Sequence, residues 1–240
     1  MSLHPTTKAL PLLATAALVL TGCASIGSPS GPTVTEDHEV DAAVTAVHLE
    51  GTGDLSIRTG ESSSLTVTAR ESTHERLVTD VRDGVLVLGI RSGAFLGDVG
   101  RIEYELVLPE VDGITVEGTG DVDAVLTPTR SLRVAVDGTG DVRAEGVDVE
   151  DLLVEIDGTG GITLLGTAGA QSVRIDGTGG YDGTELESED AVVVVNGTGG
   201  ADVHVTGALE AQVDGTGSVT HSGGAEVNAS VDGLGDVRER

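Results

Sequence analysis

The sequence predicts an all-β protein, a right-handed parallel β-helix (a β-solenoid) of about 18–20 residues per coil. Three observations lead to this prediction. A Gly-x-Gly turn recurs at a nearly constant interval, apolar residues alternate with polar ones before each turn, and no segment after residue 23 carries a helical hydrophobic stripe. Repeats of about 20 residues are typical of solenoids, and a period of two is typical of β-strands. Crossovers between parallel strands are almost always right-handed, which predicts the hand of the coil.

The recurring turn marks one corner of every coil. Its first glycine occurs eight times, and the sequence numbers of the last seven copies rise in steps of 20, 20, 19, 20, 18 and 18. A sharp corner requires a positive φ or a close approach between two backbones, and glycine permits both. The structural turn glycines that we predict are Gly51, Gly118, Gly138, Gly158, Gly177, Gly197, Gly215 and Gly233.

Short strands flank each turn. In one representative copy, Leu132, Val134 and Val136 lie six, four and two positions before the glycine. Stacked coils would bring such residues into inward columns of Val, Leu and Ile, so the core needs almost no aromatic side chains. The whole chain has only three of them, Phe95, Tyr104 and Tyr181.

The long interval between the first two turn glycines, Gly51 and Gly118, lacks the motif. Its alternating stretches, such as SLTVTAR and GVLVLGI, predict strands, and the Asp-Gly pair at residues 83–84 predicts a hairpin turn. Two arrangements fit: three degenerate coils, or a small antiparallel sheet that caps the open edge of the solenoid. We favour a continued β-helix with a hairpin or loop at residues 91–101, and we expect the charged end at residues 238–240 to protect the other edge.

The amino terminus predicts a lipoprotein. Residues 1–22 contain a short apolar stretch that suits a signal peptide better than a membrane span. The following Leu-Thr-Gly-Cys resembles the lipobox of bacterial lipoproteins, so Cys23, the only cysteine, is the candidate lipidation site; an ordinary signal peptide is the less favoured alternative. We expect residues 23–43 to comprise the lipidated cysteine and a flexible tether, and residues 44–240 to form the solenoid. This organisation predicts an extracytoplasmic protein that is lipid-anchored to the bacterial cell membrane.

The chain is strongly acidic, with a net charge of −27 and a single lysine. Binding to nucleic acid requires a basic patch that neutralises phosphates, and this chain cannot assemble one. The composition therefore excludes nucleic acid as a partner and favours cationic partners.

Acidic residues surround the turn. The position before the first glycine is acidic in seven of eight copies. Carboxylate oxygens suit calcium, but Asp before Gly is also a common turn residue whose side chain accepts backbone hydrogen bonds. We favour this turn role over calcium binding and expect no cofactor. The six histidines show no metal-ligand spacing, and we expect them at the surface. The candidate calcium ligands are Asp137, Asp141, Asp157, Asp176, Asp214 and Asp232.

The series of GTGD and GTGG turns, opened by LPEVDGITVEGTGD and closed by ALEAQVDGTGSVTHSGGAEVNASVDGLGDV, resembles the auto-transporter adhesin, head GIN domain family (DUF2807). The resemblance covers roughly residues 45–237. It implies a secreted or lipid-anchored β-helix protein, and it carries no catalytic residue over to this chain.

Three functions are compatible with these features. The favoured one is a non-catalytic cell-envelope lipoprotein whose solenoid binds a glycan or an envelope protein, as an adhesin does. The second is a structural or sensory accessory of the envelope that cations stabilise. The third, a β-helix enzyme that acts on polysaccharides, is the least favoured, because the carboxylates recur as a uniform ladder without a unique pair and aromatic sugar contacts are scarce.

Overall fold

In the computed structural model, which describes residues 31–91 and 99–240, the chain forms one mixed β-sheet that winds into a solenoid. The described residues contain 17 strands and one four-residue helix, so the all-β prediction is confirmed. The predicted signal peptide, Cys23 and the start of the predicted tether lie outside the described residues, as do positions 92–98 of the predicted loop.

The first part of the chain supplies seven strands and the helix. Their bounds are β1 Thr33–His38, β2 Ala46–Gly51, β3 Asp54–Thr59, β4 Ser64–Arg70, α1 Glu71–His74, β5 Leu77–Arg82, β6 Val85–Ile90 and β7 Glu103–Leu108. The second part supplies ten strands that run through the repeated turns. They are β8 Gly113–Gly118, β9 Val122–Val125, β10 Ser131–Gly138, β11 Val142–Ile156, β12 Gly161–Ile175, β13 Gly180–Gly197, β14 Gly200–Gly215, β15 Ser218–Ser222, β16 Glu226–Gly233 and β17 Asp236–Glu239.

The second part is a stack of parallel coils. The strand segments before the turns form a first face, on which β10 pairs in parallel with β8 and β11, and the pattern continues to β16. The segments after the turns form a second face in the same way. Leu132 lies opposite Leu152, and Leu209 lies opposite Val227, so on the first face each residue pairs with its equivalent in the next copy of the repeat. After the turns the register shifts locally, where the coils differ in length. The spacing of the turns is therefore the register of the sheet, which confirms the parallel solenoid and its coil length.

Columns of aliphatic side chains fill the solenoid. Val134, Val154, Val173 and Val193 lie opposite one another in successive coils, and each is at most 1% exposed. Burial of such apolar surface contributes roughly 25 cal/mol per Å². Because every coil adds similar branched side chains at the same register, the core packs closely without large rings.

Two tyrosines are nevertheless buried in this core, and glycines make room for them. A Cβ on Gly53 would lie 2.8 Å from Cε2 of Tyr104, and a Cβ on Gly183 would lie 2.6 Å from the hydroxyl oxygen of Tyr181. Burial raises the pKa of the Tyr104 hydroxyl to about 12, and burial also raises the pKa of Tyr181.

The region before residue 113 combines both arrangements that we considered for it. Strands β6 and β7 stack in parallel on β2 and β3, which in turn stack on β8 and β9. Beyond them, β5 pairs antiparallel with β6, and β4 pairs antiparallel with β7 and with β1. Strands β6 and β7, which come later in the chain, thus form the outer coil. The antiparallel strands β1, β4 and β5 cover the edge of this coil, and an open strand edge needs such protection. We call this layer, β1, β4, α1 and β5, the amino-terminal cap.

The predicted flexible tether is wrong at residues 33–38, which form β1, so the fold begins before Val44. The strand pairs with β4 along its whole length, from Thr33 opposite Arg70 to His38 opposite Leu65. Only Val34 and His38 of β1 are half-buried, and the other residues are exposed. The strand therefore depends on the hydrogen-bonding edge of β4 rather than on its own hydrophobicity, and composition did not reveal it.

At the opposite end of the solenoid, β16 is exposed along its full length. Val227 and Val231 on this strand are 37% and 44% exposed. The charged carboxyl end lies mostly in β17, where Arg238 pairs with Asp236 at 2.9 Å. It therefore continues the last coil beside β16 rather than covering β16, contrary to our expectation.

Candidate functional site

The repeated turn is built on a ladder of backbone hydrogen bonds. The carbonyl oxygen of Gly118 accepts the N–H of Thr139 at 2.8 Å and the N–H of Gly140 at 3.2 Å. The same pair of bonds joins every later coil to the one before it, up to the last turn, where Gly215 is the acceptor. The motif therefore fixes the distance between coils at this corner.

Glycine is needed in this ladder mainly because two backbones come close together. A Cβ on Gly138 would lie 2.3 Å from the carbonyl oxygen of Gly118, and one on Gly140 would lie 2.0 Å from that of Gly120. Gly138 has no positive φ, so at this position the lack of space, and not a left-handed backbone, excludes a side chain. The first glycines of the motif that do have a positive φ are Gly51, Gly118, Gly197, Gly215 and Gly233.

The acidic residues before these glycines form a column along the solenoid. The register places Glu50 opposite Glu117, Glu117 opposite Asp137, and Asp214 opposite Asp232. Equivalent residues of paired strands are about 4.8 Å apart, so like charges at this spacing repel each other, although solvent and salt screen them.

Hydrogen-bond donors offset this repulsion within the column. Asp176 accepts hydrogen bonds from Nδ2 of Asn196 and from Nε of Arg174, both at 2.6 Å. These bonds, that of Asn196 first, lower the pKa of the Asp176 carboxyl. Asp214 accepts a bond from Nε2 of Gln212 at 2.8 Å. The one copy of the turn that carries Asn in place of an acid thus supplies a donor to its neighbour.

Two aspartates after the turn bind the backbone of the next coil. Oδ1 of Asp121 accepts the N–H of Asp141 at 2.9 Å, and Oδ1 of Asp141 accepts the N–H of Gly161 at 2.6 Å. Both aspartates lie three positions after the first glycine, whereas the turn residues that we predicted to accept backbone hydrogen bonds lie directly before it. Turn chemistry at those positions therefore stays a prediction.

The structure does not gather the six candidate calcium ligands into one group. Side chains in a column have only two neighbours at about 4.8 Å, which is too few for a hard cation that takes six to eight oxygens. Across residues 31–91 and 99–240, one group of at least three His, Cys, Asp or Glu side chains has all its ligand atoms within 4.8 Å of one another. It consists of Glu36, His38 and His74.

The outer side of the first face carries a shallow groove of about 580 Å³. Leu153, Ser172 and Val192 form one outward column in it, and Val192 is 44% exposed. Beside the groove lies a charged depression of about 270 Å³, in which Nε of Arg133 donates to Glu155 at 2.9 Å. We refer to this surface as the first-face patch, and it comprises Arg133, Leu153, Glu155, Ser172, Arg174 and Val192.

Sequence reasoning missed the proximity of His38 and His74. The two histidines are far apart in the sequence and have no ligand spacing, and they meet because α1 directly follows β4, the strand that pairs with β1. The alternation of Val34, Glu36 and His38 in the presumed tether was the available signal, since residues at this spacing share one face of a strand.

A family model described as "Putative auto-transporter adhesin, head GIN domain" (DUF2807) matches residues 43–225. No curated protein matches this chain. Within the described part of the chain, the one helix is too short to cross a membrane.

Solved structures share the fold over most of the chain. A "putative adhesin" from Bacteroides fragilis has a TM-score of 0.83 and 22% identity, and the match covers 88% of this chain and 99% of that one. A "putative lipid binding protein" from Parabacteroides distasonis has a TM-score of 0.73 and 18% identity, with 88% and 98% covered. A "putative adhesin" from Parabacteroides merdae has a TM-score of 0.64 and 19% identity, with 88% and 97% covered. At these identities the likeness shows the fold alone.

Proposed function

The chain belongs to the family described as "Putative auto-transporter adhesin, head GIN domain", and from this premise we propose that it is an adhesin-like, non-catalytic binding protein of the cell envelope. A lipid on Cys23 holds it outside the cytoplasm, and the first-face patch binds a protein partner on the envelope or on another surface.

The observation that carries this proposal is the composition of the first-face patch. Apolar Leu153 and Val192 lie next to the paired charges of Arg133 and Glu155. Protein interfaces typically combine apolar residues and arginine at the centre with polar groups around them. The paired parallel strands also hold these side chains on a stiff backbone, so binding orders few additional groups.

Two features favour a protein partner over a glycan. Tyr104 and Tyr181 are both buried, so the described surface has no tyrosine, tryptophan or phenylalanine ring on which a sugar could stack. The net charge of −27 attracts a partner with a basic surface and accelerates its approach.

The role of the carboxylates supports a non-catalytic function. Asp121 and Asp141 accept backbone hydrogen bonds, and Asp176 accepts bonds from Asn196 and Arg174. A catalytic carboxylate must instead be positioned to exchange a proton with a substrate. These aspartates act as structural acceptors that join neighbouring coils and side chains.

The column of like charges favours a second candidate, a structural or sensory accessory of the envelope that cations stabilise. Cations relieve the repulsion between Glu117 and Asp137 and between Asp214 and Asp232, which lie opposite each other. This function requires stability that depends on cations, and it does not require binding through the first-face patch.

The binding test uses beads that carry the full-length chain and isolated cell envelopes that carry the partner. Val192→Asp in the patch is compared with Val125→Asp, because Val125 is a similarly exposed valine, at 54%, on the second face. We expect Val192→Asp to weaken envelope binding at least tenfold and Val125→Asp to leave it unchanged. Equal binding by both variants would contradict the patch.

Treatment of the envelopes identifies the class of partner. We expect protease to remove binding and periodate, which oxidises glycans, to leave it intact. The opposite pattern would assign the patch to a glycan.

The lipid anchor is tested separately with the variant Cys23→Ser. We expect this variant to move from the membrane fraction to the soluble fraction, and an unchanged membrane fraction would contradict lipidation of Cys23.

A further inference from the structure

The amino-terminal cap brings together three side chains that are typical metal ligands. Glu36 and His38 lie on β1, and His74 is the last residue of α1. The pairing of β1 with β4 and the direct connection of β4 to α1 bring them into one place, where one ligand atom of each lies within 4.8 Å of the other two.

The surroundings of His74 leave one ring nitrogen free for a ligand. Its Nε2 lies 3.1 Å from the carbonyl oxygen of Val34, which can only accept, so Nε2 carries the proton. In the neutral ring, Nδ1 then holds a lone pair, and it lies 3.6 Å from Oε2 of Glu36. Histidines that bind metals usually donate their second N–H to a carbonyl or carboxylate in this way, which fixes the tautomer and the ring orientation.

The ring of His38 provides an independent observation that supports a ligand at this cluster. Nε2 of His38 is buried and has no hydrogen-bond partner among the described residues. A buried polar atom without a partner costs free energy, and such atoms are rare in folded proteins unless an ion or water binds them. The side chain of His74 is also only 6% exposed, so the cluster combines a buried imidazole, a buried ring nitrogen without a partner and one carboxylate.

We propose that Glu36, His38 and His74 form a site for a transition-metal ion of the zinc class. Two imidazole nitrogens and one carboxylate oxygen form a ligand set that zinc accepts, and they leave a fourth position for water or another ligand. Calcium and magnesium prefer oxygen ligands, so the site selects against the ions that the aspartate columns suggested. This proposal is independent of the function assigned to the first-face patch.

The ion would connect the outermost strand of the cap to its helix. Among the described residues, β1 pairs only with β4. Because Glu36 and His38 belong to β1 and His74 belongs to α1, a bound ion adds to the hydrogen bond by which His74 already holds the Val34 carbonyl of this strand. The segment that leads to Cys23 joins the fold through β1, so the ion would stabilise the point at which the predicted lipid anchor is attached.

The test is a calorimetric titration with zinc chloride of the untagged full-length chain in detergent, after treatment with a chelator. We expect one zinc ion to bind per chain and to raise the melting temperature above that in an equal concentration of magnesium chloride. Cobalt(II) should bind at the same stoichiometry and show the visible absorption of a four-coordinate site. Absence of saturable zinc binding would overturn the proposal.

Variants separate this site from other histidines. We expect Glu36→Gln and His38→Gln each to lower zinc affinity at least tenfold. The matched control is His48→Gln, because His48 lies 3.2 Å from Glu117 and 3.7 Å from Glu50 but belongs to no three-membered ligand group in the part of the chain that the structure describes. Zinc binding that survives in His38→Gln, or that is lost equally in His48→Gln, would overturn the assignment.

Glu36→Gln also distinguishes the loss of a zinc ligand from the loss of zinc binding through misfolding. The Glu36 side chain is 53% exposed, so its replacement leaves the core unchanged. We expect this variant to melt at the wild-type temperature in chelator while its zinc-dependent rise is lost. A wild-type zinc response in Glu36→Gln would remove the carboxylate from the site and contradict the proposed ligand set.

Discussion

The stacked coils after residue 113 and the cap before it are held together by different kinds of contact. Every coil uses the same corner, in which a glycine carbonyl accepts two N–H groups of the next coil. Each contact of the cap occurs once: β4 lies between β7 and β1, β5 pairs with β6, and His74 binds the carbonyl of Val34. One region is stabilised by repetition, and the other by pairings between distant parts of the chain.

The two regions also differ in how chain order relates to spatial order. Among β8 to β17, each coil stacks on the coil that precedes it in sequence. In the first part, β6 and β7 stack outside β2 and β3, although they follow them in the chain. The first turn, at Gly51, therefore does not stack on an earlier glycine turn, and a Cβ at Gly51 would meet no atom of residues 31–91 and 99–240 within 4 Å.

The largest expected effect comes from adding one methyl group to a stacked corner. In Gly138→Ala the new Cβ would lie 2.3 Å from the carbonyl oxygen of Gly118, so the coils must separate and the paired hydrogen bonds weaken. We expect a loss of about 3 kcal/mol in the free energy of unfolding. Gly51→Ala has space but a φ of +112°, and we expect it to cost only about 1–2 kcal/mol. Denaturant unfolding of both variants measures the difference, and equal losses would contradict the role of stacking.

The contrast between the regions explains which features the sequence could predict. In the coils, the residue opposite Leu132 is simply its equivalent in the next copy of the repeat, so the repeat spacing contains the register. The cap has no such relation: nothing in the residues around Thr33 indicates that this residue lies opposite Arg70. The site at Glu36, His38 and His74 depends on that pairing, and so it could not be predicted from the spacing of its members.

Inside the coils, too, the repeat does not predict the partners of a residue that departs from it. Gln171 occupies an inward position that the two adjacent coils fill with Leu152 and Ala191, and it is only 2% exposed. Its Nε2 donates to the Ser188 hydroxyl at 2.7 Å, and its Oε1 accepts from Tyr181 at 3.0 Å. Periodicity predicts an apolar side chain there, and only the three-dimensional arrangement shows the partners that satisfy the amide.

Alkaline pH should reveal the buried tyrosine beside the cap. Tyr104 has its pKa raised from 10.0 to about 12 by burial. Its neutral form is therefore favoured by folding, so the associated stability is complete below pH 10 and is lost as the pH rises towards 12. We expect the free energy of unfolding to fall by up to about 1.4 kcal/mol per pH unit for this group in that interval. Denaturant unfolding from pH 9 to pH 11.5 measures it. In Tyr104→Phe the slope should decrease, and an unchanged slope would contradict the assignment to Tyr104.

Removing one hydroxyl from each tyrosine compares a stacked coil, which contains Tyr181, with the outer coil beside the cap, which contains Tyr104. The hydroxyl of Tyr181 donates to the buried amide oxygen of Gln171, so Tyr181→Phe leaves that acceptor without its partner and should cost about 1–2 kcal/mol. The hydroxyl of Tyr104 is buried and has no partner among the described residues. Tyr104→Phe should therefore leave the stability at neutral pH unchanged or raise it. Thermal melts of the two variants check this, and an equal loss in both would contradict the difference in hydrogen bonding.

The smallest expected effect tests the aspartates of the turn. Oδ1 of Asp141 accepts the N–H of Gly161, so Asp141→Ala removes an acceptor at the corner and should cost about 1 kcal/mol. Asp141→Asn keeps an oxygen at the same place and should retain most of this stability. The two variants also distinguish turn chemistry from calcium binding, because Asn preserves the hydrogen bond but removes the charge that a calcium site needs. If the Asp141 carboxylate only accepts the backbone hydrogen bond, calcium chloride should shift the melting temperature no more than sodium chloride of matched ionic strength. This should hold for the wild type and for Asp141→Asn. A calcium-dependent rise in the wild type that Asp141→Asn lacks would show that the acidic columns bind metal as well as the backbone.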